Sequence, residues 1–408
     1  MSQTATEPVD FADPEVIARP QPALDRLREE APVHWNPSLK GWFATRFEDV
    51  RQILSSPHFS VEKLGPVVER ADGPDRERLE ALARVLGDWI ILIDPPAHTR
   101  LRRAMRTGFM PRDMDALEPK VHQRVDQLLD PLEGSTGAEL KSAFANPLPA
   151  MVIGDLFGVP EADIPKLRGW SDALGKFVLG GRQTPDRRQL AFEAVREFVG
   201  YLDALVAARR EDPRADLTTH LIAYEEDGDR LTHEEIVHSI LLCVWAGYET
   251  TANLIANGTM ALARNPEKAK ALAADPAGIP DAIEEFLRFE GPVQALVRVA
   301  GQDEEVGGTL IRKGERVFVS IFAANHDPER FAAPGDFDPT RTRNRHLSFG
   351  HGIHLCLGAP LARLEGRAAF EGLLRRFEDF RIAEEPVWRD EFITRTAEGI
   401  HMTWKPRT

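Results

Sequence analysis

The 408-residue sequence predicts a mainly α fold with minor antiparallel β-structure, and three observations carry that reading. From residue 113 to 275 the apolar spacing is helical, broken only near 132–138, 158–161, 179–186 and 226–231. Residues 297–321, VRVAGQDEEVGGTLIRKGERVFVSI, alternate and turn at Gly307-Gly308 and Lys313-Gly314, as a small antiparallel sheet does. Residues 359–376 return to helical spacing, and 380–404 have strand character around a turn at Glu398-Gly399.

The remaining elements follow in chain order. VHWN (33–36) and GWFAT (41–45) predict two short strands flanking a turn, with a helix over 46–55. Residues 60–90 are charged and irregular, with a helix near 76–86. An Arg-rich helix over 99–108 is opened by Asp94-Pro95-Pro96. The most apolar stretch, 238–263, is interrupted by Glu249, which predicts a buried core helix rather than a membrane span. Without repeats, low-complexity tracts or a linker, one domain over 1–408 is expected.

Composition narrows the function classes. Two cysteines build neither a disulfide framework nor a four-thiolate metal site, which predicts a reducing, cytoplasmic setting. The N-terminus MSQTATEPVDFADPE lacks a basic region and an apolar run, so no signal peptide is expected. A net charge of −14 argues against nucleic acid as a partner.

One of those cysteines, Cys356, lies in HLSFGHGIHLCLG (346–358), just before a helix start at Ala359-Pro360. Unpaired N–H groups and the helix dipole there favour a thiolate, and glycines allow close approach of something flat. A thiolate beside a planar surface is what an axial haem ligand requires. The run resembles the haem-binding signature of the cytochrome P450 family, Phe-Gly-x-Gly-x-His-x-Cys-x-Gly followed by Leu-Ala-x-x-Glu, and every fixed position matches. The resemblance implies the P450 fold, a large helical region plus a small β-rich region. It also implies haem b with Cys356 as the iron ligand and Phe349 beside the haem.

The resemblance extends over nearly the whole chain. Glu285 and Arg288 match the family's Glu-x-x-Arg motif; with Arg341 they would form a buried structural triad. His98 and Arg102, four residues apart, Arg298 and His354 match the partners of the haem propionates, carboxylates that need cationic or donor neighbours when partly buried. One departure is Ala324-Asn325-His326-Asp327, where the family often has Ala-Asn-Arg-Asp.

Ala246-Gly247-Tyr248-Glu249-Thr250-Thr251 sets a glycine, an acid and an alcohol in an apolar helix, three locally unfavourable choices that predict a functional interruption. It resembles the family's oxygen-activation motif, Ala-Gly-x-acid-Thr-Thr. By that resemblance Ala246 and Gly247 flank the haem, the gap at Gly247 makes room for dioxygen, Thr250 hydrogen-bonds it, and Glu249 relays protons.

Leu242, Trp245, Ala246 and Glu249 fall at i, i+3, i+4 and i+7, so Trp245 is expected to face the haem's distal pocket and limit substrate size. By position in the family, Trp89, Leu92, Phe177, Val178, Val293, Leu296, Ile393 and Thr394 join the wall, with Gln294 and Arg182 as polar handles. Cys243 is read as core. Electrons are expected from outside the chain, from a ferredoxin or flavodoxin with its reductase. Arg103, Arg106, Arg112, Arg343 and Arg345 offer a docking patch. The resulting expectation is a monomeric monooxygenase that hydroxylates or oxidatively dealkylates (O-demethylates) a small organic molecule. Against it stand a haem-thiolate peroxygenase, isomerase or nitric oxide reductase, a non-catalytic haem sensor, and a cofactor-free helical protein. The Glu249–Thr250 pair argues against peroxide-driven chemistry, which needs no proton relay.

Overall fold

A computed structural model describes residues 8–179, 186–342 and 344–407. Arg182 and Arg343, named above, lie outside the described residues.

Nine helices position the site: α1 (Gly73–Leu86), α2 (Ala97–Arg106), α3 (Pro111–Leu129), α4 (Pro147–Phe157), α5 (Ile164–Val178), α6 (Arg187–Glu211), α7 (His233–Arg264), α8 (Ile279–Glu290) and α9 (Ala359–Arg376). The long helix α7 begins at a reciprocal cap. Thr232 Oγ1 accepts from Glu235 N at 3.1 Å, and Glu235 Oε2 accepts from Thr232 N at 2.8 Å, satisfying two otherwise unpaired donors. Beyond that first turn α7 is largely buried, with α4, α6, α8 and α9 packed around it and its few polar side chains, such as Asn253 and Asn257, hydrogen-bonded. No helix among the described residues is long and apolar enough to cross a membrane.

The principal sheet contains β1 (Val33–Asn36), β2 (Gly41–Ala44), β3 (Phe59–Ser60), β4 (Ala295–Ala300) and β5 (Arg316–Ser320), in the order β1-β2-β5-β4-β3. Two features depart from expectation. The β5–β2 pairing is parallel, with Val317 opposite Trp42 and Val319 opposite Ala44, so the sheet is mixed rather than antiparallel. A strand not expected from the sequence, β3, lies at the edge of the stretch read as irregular and pairs antiparallel with β4. A two-residue strand has too little periodicity to be visible in sequence. A second sheet joins Phe377–Ile382 and His401–Pro406 to Gly137–Glu139, the last within a stretch read only as a helix break.

Glu285 and Arg288 are fully buried on α8. Arg288 Nε and Nη2 each donate to a Glu285 oxygen at 2.7 Å, and its remaining N–H groups reach the carbonyls of Asn325, Pro334 and Asp336. Arg341 Nε adds a contact to Glu285 at 3.2 Å. The ion pair thus ties α8 to the chain that leads into the cysteine loop. At the departure position, His326 is buried and stacked on Phe322, and burial pushes its imidazole down to about 3, so it is neutral. Its neighbour Asn325 bonds Leu347 N and Ser348 Oγ and fixes the start of that loop.

Candidate haem site and its surroundings

The cysteine loop is shaped by its own backbone. Gly350 and Gly352 both have positive φ, at 75° and 73°. A Cβ on Gly352 would stand 2.9 Å from Leu54 O, so this bare Cα serves close packing against the helix Phe47–Ser55 rather than approach to a ligand. Cys356 N donates to Phe349 O at 2.8 Å. The Cys356 sulfur faces the N–H groups of Gly358 and Ala359, the donors expected from the helix start. Burial nevertheless outweighs them and holds the thiol above its ordinary value, while Arg102 and Arg363 pull the other way.

Cys356 opens onto a cavity of about 280 Å³ between the loop, α7 and α2. Phe349, Leu242, Ala246, Gly247, Thr250, Val293, Leu296, Arg102 and His354 line the same cavity. The expected wall residues Trp89, Leu92, Phe177, Val178, Trp245 and Ile393 do not, and neither do Glu249 and Thr394. Gln294 borders a separate small cavity instead.

The reason is a rotation of the helical face. The cavity side of α7 carries Leu242, Ala246 and Thr250 at i, i+4 and i+8, together with Cys243 and Gly247 one position on. The expectation centred on Trp245 was turned too far. Trp245 and Glu249 face α5: a Cβ on Gly175 would lie 3.6 Å from Trp245 Nε1 and 4.0 Å from Glu249 Oε2. Trp245 stacks on Trp89 at 5.0 Å, and Trp89 is fully buried, next in the chain to the cavity-lining Ile90 and Ile91. Cys243 lines the cavity and is not plain core. The repeat of small and polar residues at 243, 247 and 251 was the available signal. Gly247 borders the cavity, and a Cβ there would meet Ile153 Cδ1 at 3.0 Å, so the glycine also lets α4 pack closely against α7.

Beside the cysteine, His98 is buried and neither of its ring nitrogens has a partner among the described residues. Its ring lies 4.3 Å from that of His354, whose Nδ1 bonds Ile90 O at 3.1 Å. Burial, then His98 and Arg298, pushes the His354 imidazole down to about 4. Burial lowers Arg298 to about 10, with Asp94 opposing. Among the described residues, Arg102 and Arg298 reach only carbonyl oxygens, of Leu355 and Val297. Buried donors without acceptors are costly. This corner therefore has the donor set for a ligand carrying two carboxylates, as the haem propionates do, next to a thiol able to hold iron.

On the other side, Thr250 Oγ1 bonds the carbonyl of Ala246, one turn back, at 2.9 Å. Glu249 pairs with Arg389 at 2.9 Å, an interaction no sequence reading anticipated. Burial lifts the Glu249 carboxyl to about 7; Glu391 and Asp172 add to this, and Arg389 and Lys141 oppose it. The unfolded chain would release that proton near 4.5. Across that window the unfolded state holds fewer protons, so stability falls as pH rises from about 4.5 to 7. Glu249→Gln should flatten this slope in denaturant titrations between pH 5 and 8.

A family model described as Cytochrome P450 matches residues 183–275 and 279–398. Cytochrome P450 CYP107DY1 of Priestia megaterium is 40% identical over 352 residues, 84% of each chain. Cytochrome P450 monooxygenase PikC of Streptomyces venezuelae is 37% identical over 409 residues, 97% of this chain and 92% of that one. The crystal structure of P450BioI with an acyl carrier protein bearing hexadec-9Z-enoic acid superposes with a TM-score of 0.90 at 34% identity, covering 97% of this chain and 100% of that one. Sequence, fold and the cysteine cavity agree: the chain belongs to the cytochrome P450 family, an oxidoreductase that carries haem b and a haem-thiolate monooxygenase in its general chemistry.

Proposed function

We propose that the chain hydroxylates or oxidatively dealkylates, including by O-demethylation, a small and largely apolar organic substrate. The observation that carries this reading is Glu249. It is an acid held near neutrality, paired with Arg389, one residue from an alcohol that borders the cysteine cavity. With Cys356 as its ligand, the haem supplies the redox chemistry, in which one oxygen atom enters the substrate and the other leaves as water with two electrons and two protons.

The protein's share is positioning and protons. His98, Arg102, Arg298 and His354 orient the haem through its propionates. Ile90, Leu242, Ala246, Val293 and Leu296 present an aliphatic wall to the substrate. The stacked Trp89 and Trp245 hold α7 to the chain that carries Ile90, and so limit substrate size indirectly. Glu249 gains protons from the polar side of α7, where Arg389, Asp172 and Lys141 stand, and passes them to the Thr250 side. Thr250 can rotate away from Ala246 O to hold a water or an oxygen atom.

Thr250→Ala should keep substrate binding but divert reducing equivalents to peroxide; coupling equal to the wild type would remove Thr250 from this role. Glu249→Gln should slow turnover by about 10²–10⁴-fold, the usual range for a proton-transfer group. Wild-type turnover should fall as pH rises through about 7, where the acid form is lost, and the variant should show no such inflection.

Electrons come from a ferredoxin or flavodoxin with its reductase. Exposed Arg103, Arg106 and Arg112, with Glu226 and Asp113 beside two of them, and exposed Arg345 ahead of the cysteine loop support this on a chain of net charge −14. The protein is taken as a cytoplasmic monomer. The substrate class is tested by titrating the ferric protein with small aromatics, terpenoids, fatty acids and sugars, and following the Soret band. The likeness to P450BioI adds carrier-bound acyl chains to that panel. A shift to shorter wavelength with one compact class supports the reading, and none with any ligand overturns it.

A further inference from the structure

We infer that the Lys63 ammonium is a further partner of a haem propionate, beside His98, Arg102, Arg298 and His354, delivered by the chain that follows β3. The inference rests on haem b as the family's cofactor and not on the reaction proposed above. No motif marks this lysine, which lies in the stretch that reads as charged and irregular.

Three segments converge here. Antiparallel pairing sets Ser60 opposite Val299, so the chain beyond Ser60 runs out beside Arg298. Asp94 pins that chain: Ser60 Oγ donates to Oδ2 at 2.5 Å and Val61 N to Oδ1 at 3.2 Å. The Asp94 carbonyl also accepts from His98 N at 3.1 Å, at the start of α2. Lys63, Arg298 and His98 are thereby assembled on one corner from three distant parts of the sequence.

The corner has an excess of positive charge. Lys63 is half-buried and has no hydrogen bond or ion pair among the described residues. Burial, and then Arg298 beside it, pushes its ammonium down to about 8. Arg298 itself reaches only the carbonyl of Val297. Asp94, the carboxylate that opposes Arg298, is already engaged by two protein donors. A lysine that served only as solvated surface charge would not be held against an arginine in a partly buried setting. Carboxylate ligands reconcile such a group of cations, and haem b brings two on one edge. A substrate carboxylate shares that chemistry, so the test is made without substrate.

The holoenzyme, Lys63→Met and Lys63→Arg are mixed with excess haem-scavenging apoglobin, and the Soret band is followed as haem transfers. Methionine keeps the aliphatic stem and removes the charge. Lys63→Met should lose haem about tenfold faster, consistent with one hydrogen bond to a charged group. Lys63→Arg should stay within about twofold of the wild type, and all three should give the same ferrous–CO spectrum. Equal transfer rates for Lys63→Met and wild type would overturn the assignment. So would Lys63→Arg losing haem as fast as Lys63→Met, which would make the role one of packing. Unchanged haem loss with weakened binding of carboxylate ligands would also overturn it, in favour of substrate.

Discussion

Cys356→Ser is expected to remove the long-wavelength band of the ferrous–CO complex and to abolish oxygenation of any substrate. Residues that merely orient a metal ligand cost about 10–100-fold when replaced, so loss of the ligand itself should exceed about 100-fold. The fold should survive. Serine is nearly isosteric, and the loop is held by contacts that do not involve the sulfur, among them Cys356 N to Phe349 O at 2.8 Å and Ser348 Oγ to Leu287 O at 2.6 Å. Reduced samples under carbon monoxide, compared with and without the substitution, provide the measurement. A variant that keeps the band would place the thiolate elsewhere, and Cys243, on the same cavity, would be the next residue to replace.

Arg288→Ala is expected to cost about 3–5 kcal/mol of stability, the range for breaking a buried pair and leaving its partner charged. Arg288 and Glu285 are both 0% exposed, and truncation would strip five hydrogen bonds at once. Arg341 remains at 3.2 Å from Glu285 and softens the loss without cancelling it. The neighbouring pair Arg363–Glu284 is the internal comparison. It is as short, at 2.7 Å, but its arginine is 44% exposed, so Arg363→Ala should cost no more than about 1 kcal/mol. Denaturant unfolding of the two variants, followed by the Soret band and by far-ultraviolet dichroism, separates the cases. Equal losses would mean that burial does not set the value of these pairs.

Where the sequence was informative, the information was local. The cysteine loop, the His98–Arg102 spacing and the Glu285–Arg288 spacing each lie within a few residues on one element, so helical or loop geometry places them without knowledge of the fold. What remained hidden joins distant segments. Arg389 reaches Glu249 from 140 residues away, and the parallel pairing of β5 with β2 sets Val317 opposite Trp42, far apart in the sequence. The face of α7 was misjudged for a related reason. A helix largely buried on every side has no amphipathic stripe to set its rotation, so only the neighbouring helices decide which residues meet the cavity. Trp245 then went to α5 and Trp89, and Cys243 to the haem slot.

The mixed sheet also sets a schedule for synthesis. Trp42 on β2 bonds Glu315, 273 residues later, at the mouth of β5. A ribosome adding about 5–20 residues per second takes about 14–55 s to deliver that partner. During this interval the β1–β2 hairpin waits with one edge unpaired, and such an edge is a template for pairing with other chains. Slower translation lengthens the wait. The helical bundle keeps a similar schedule, since Glu118 on α3 meets Arg367 of α9 only 249 residues later, so the nascent chain holds both a strand edge and a helix face uncovered until its last quarter is made.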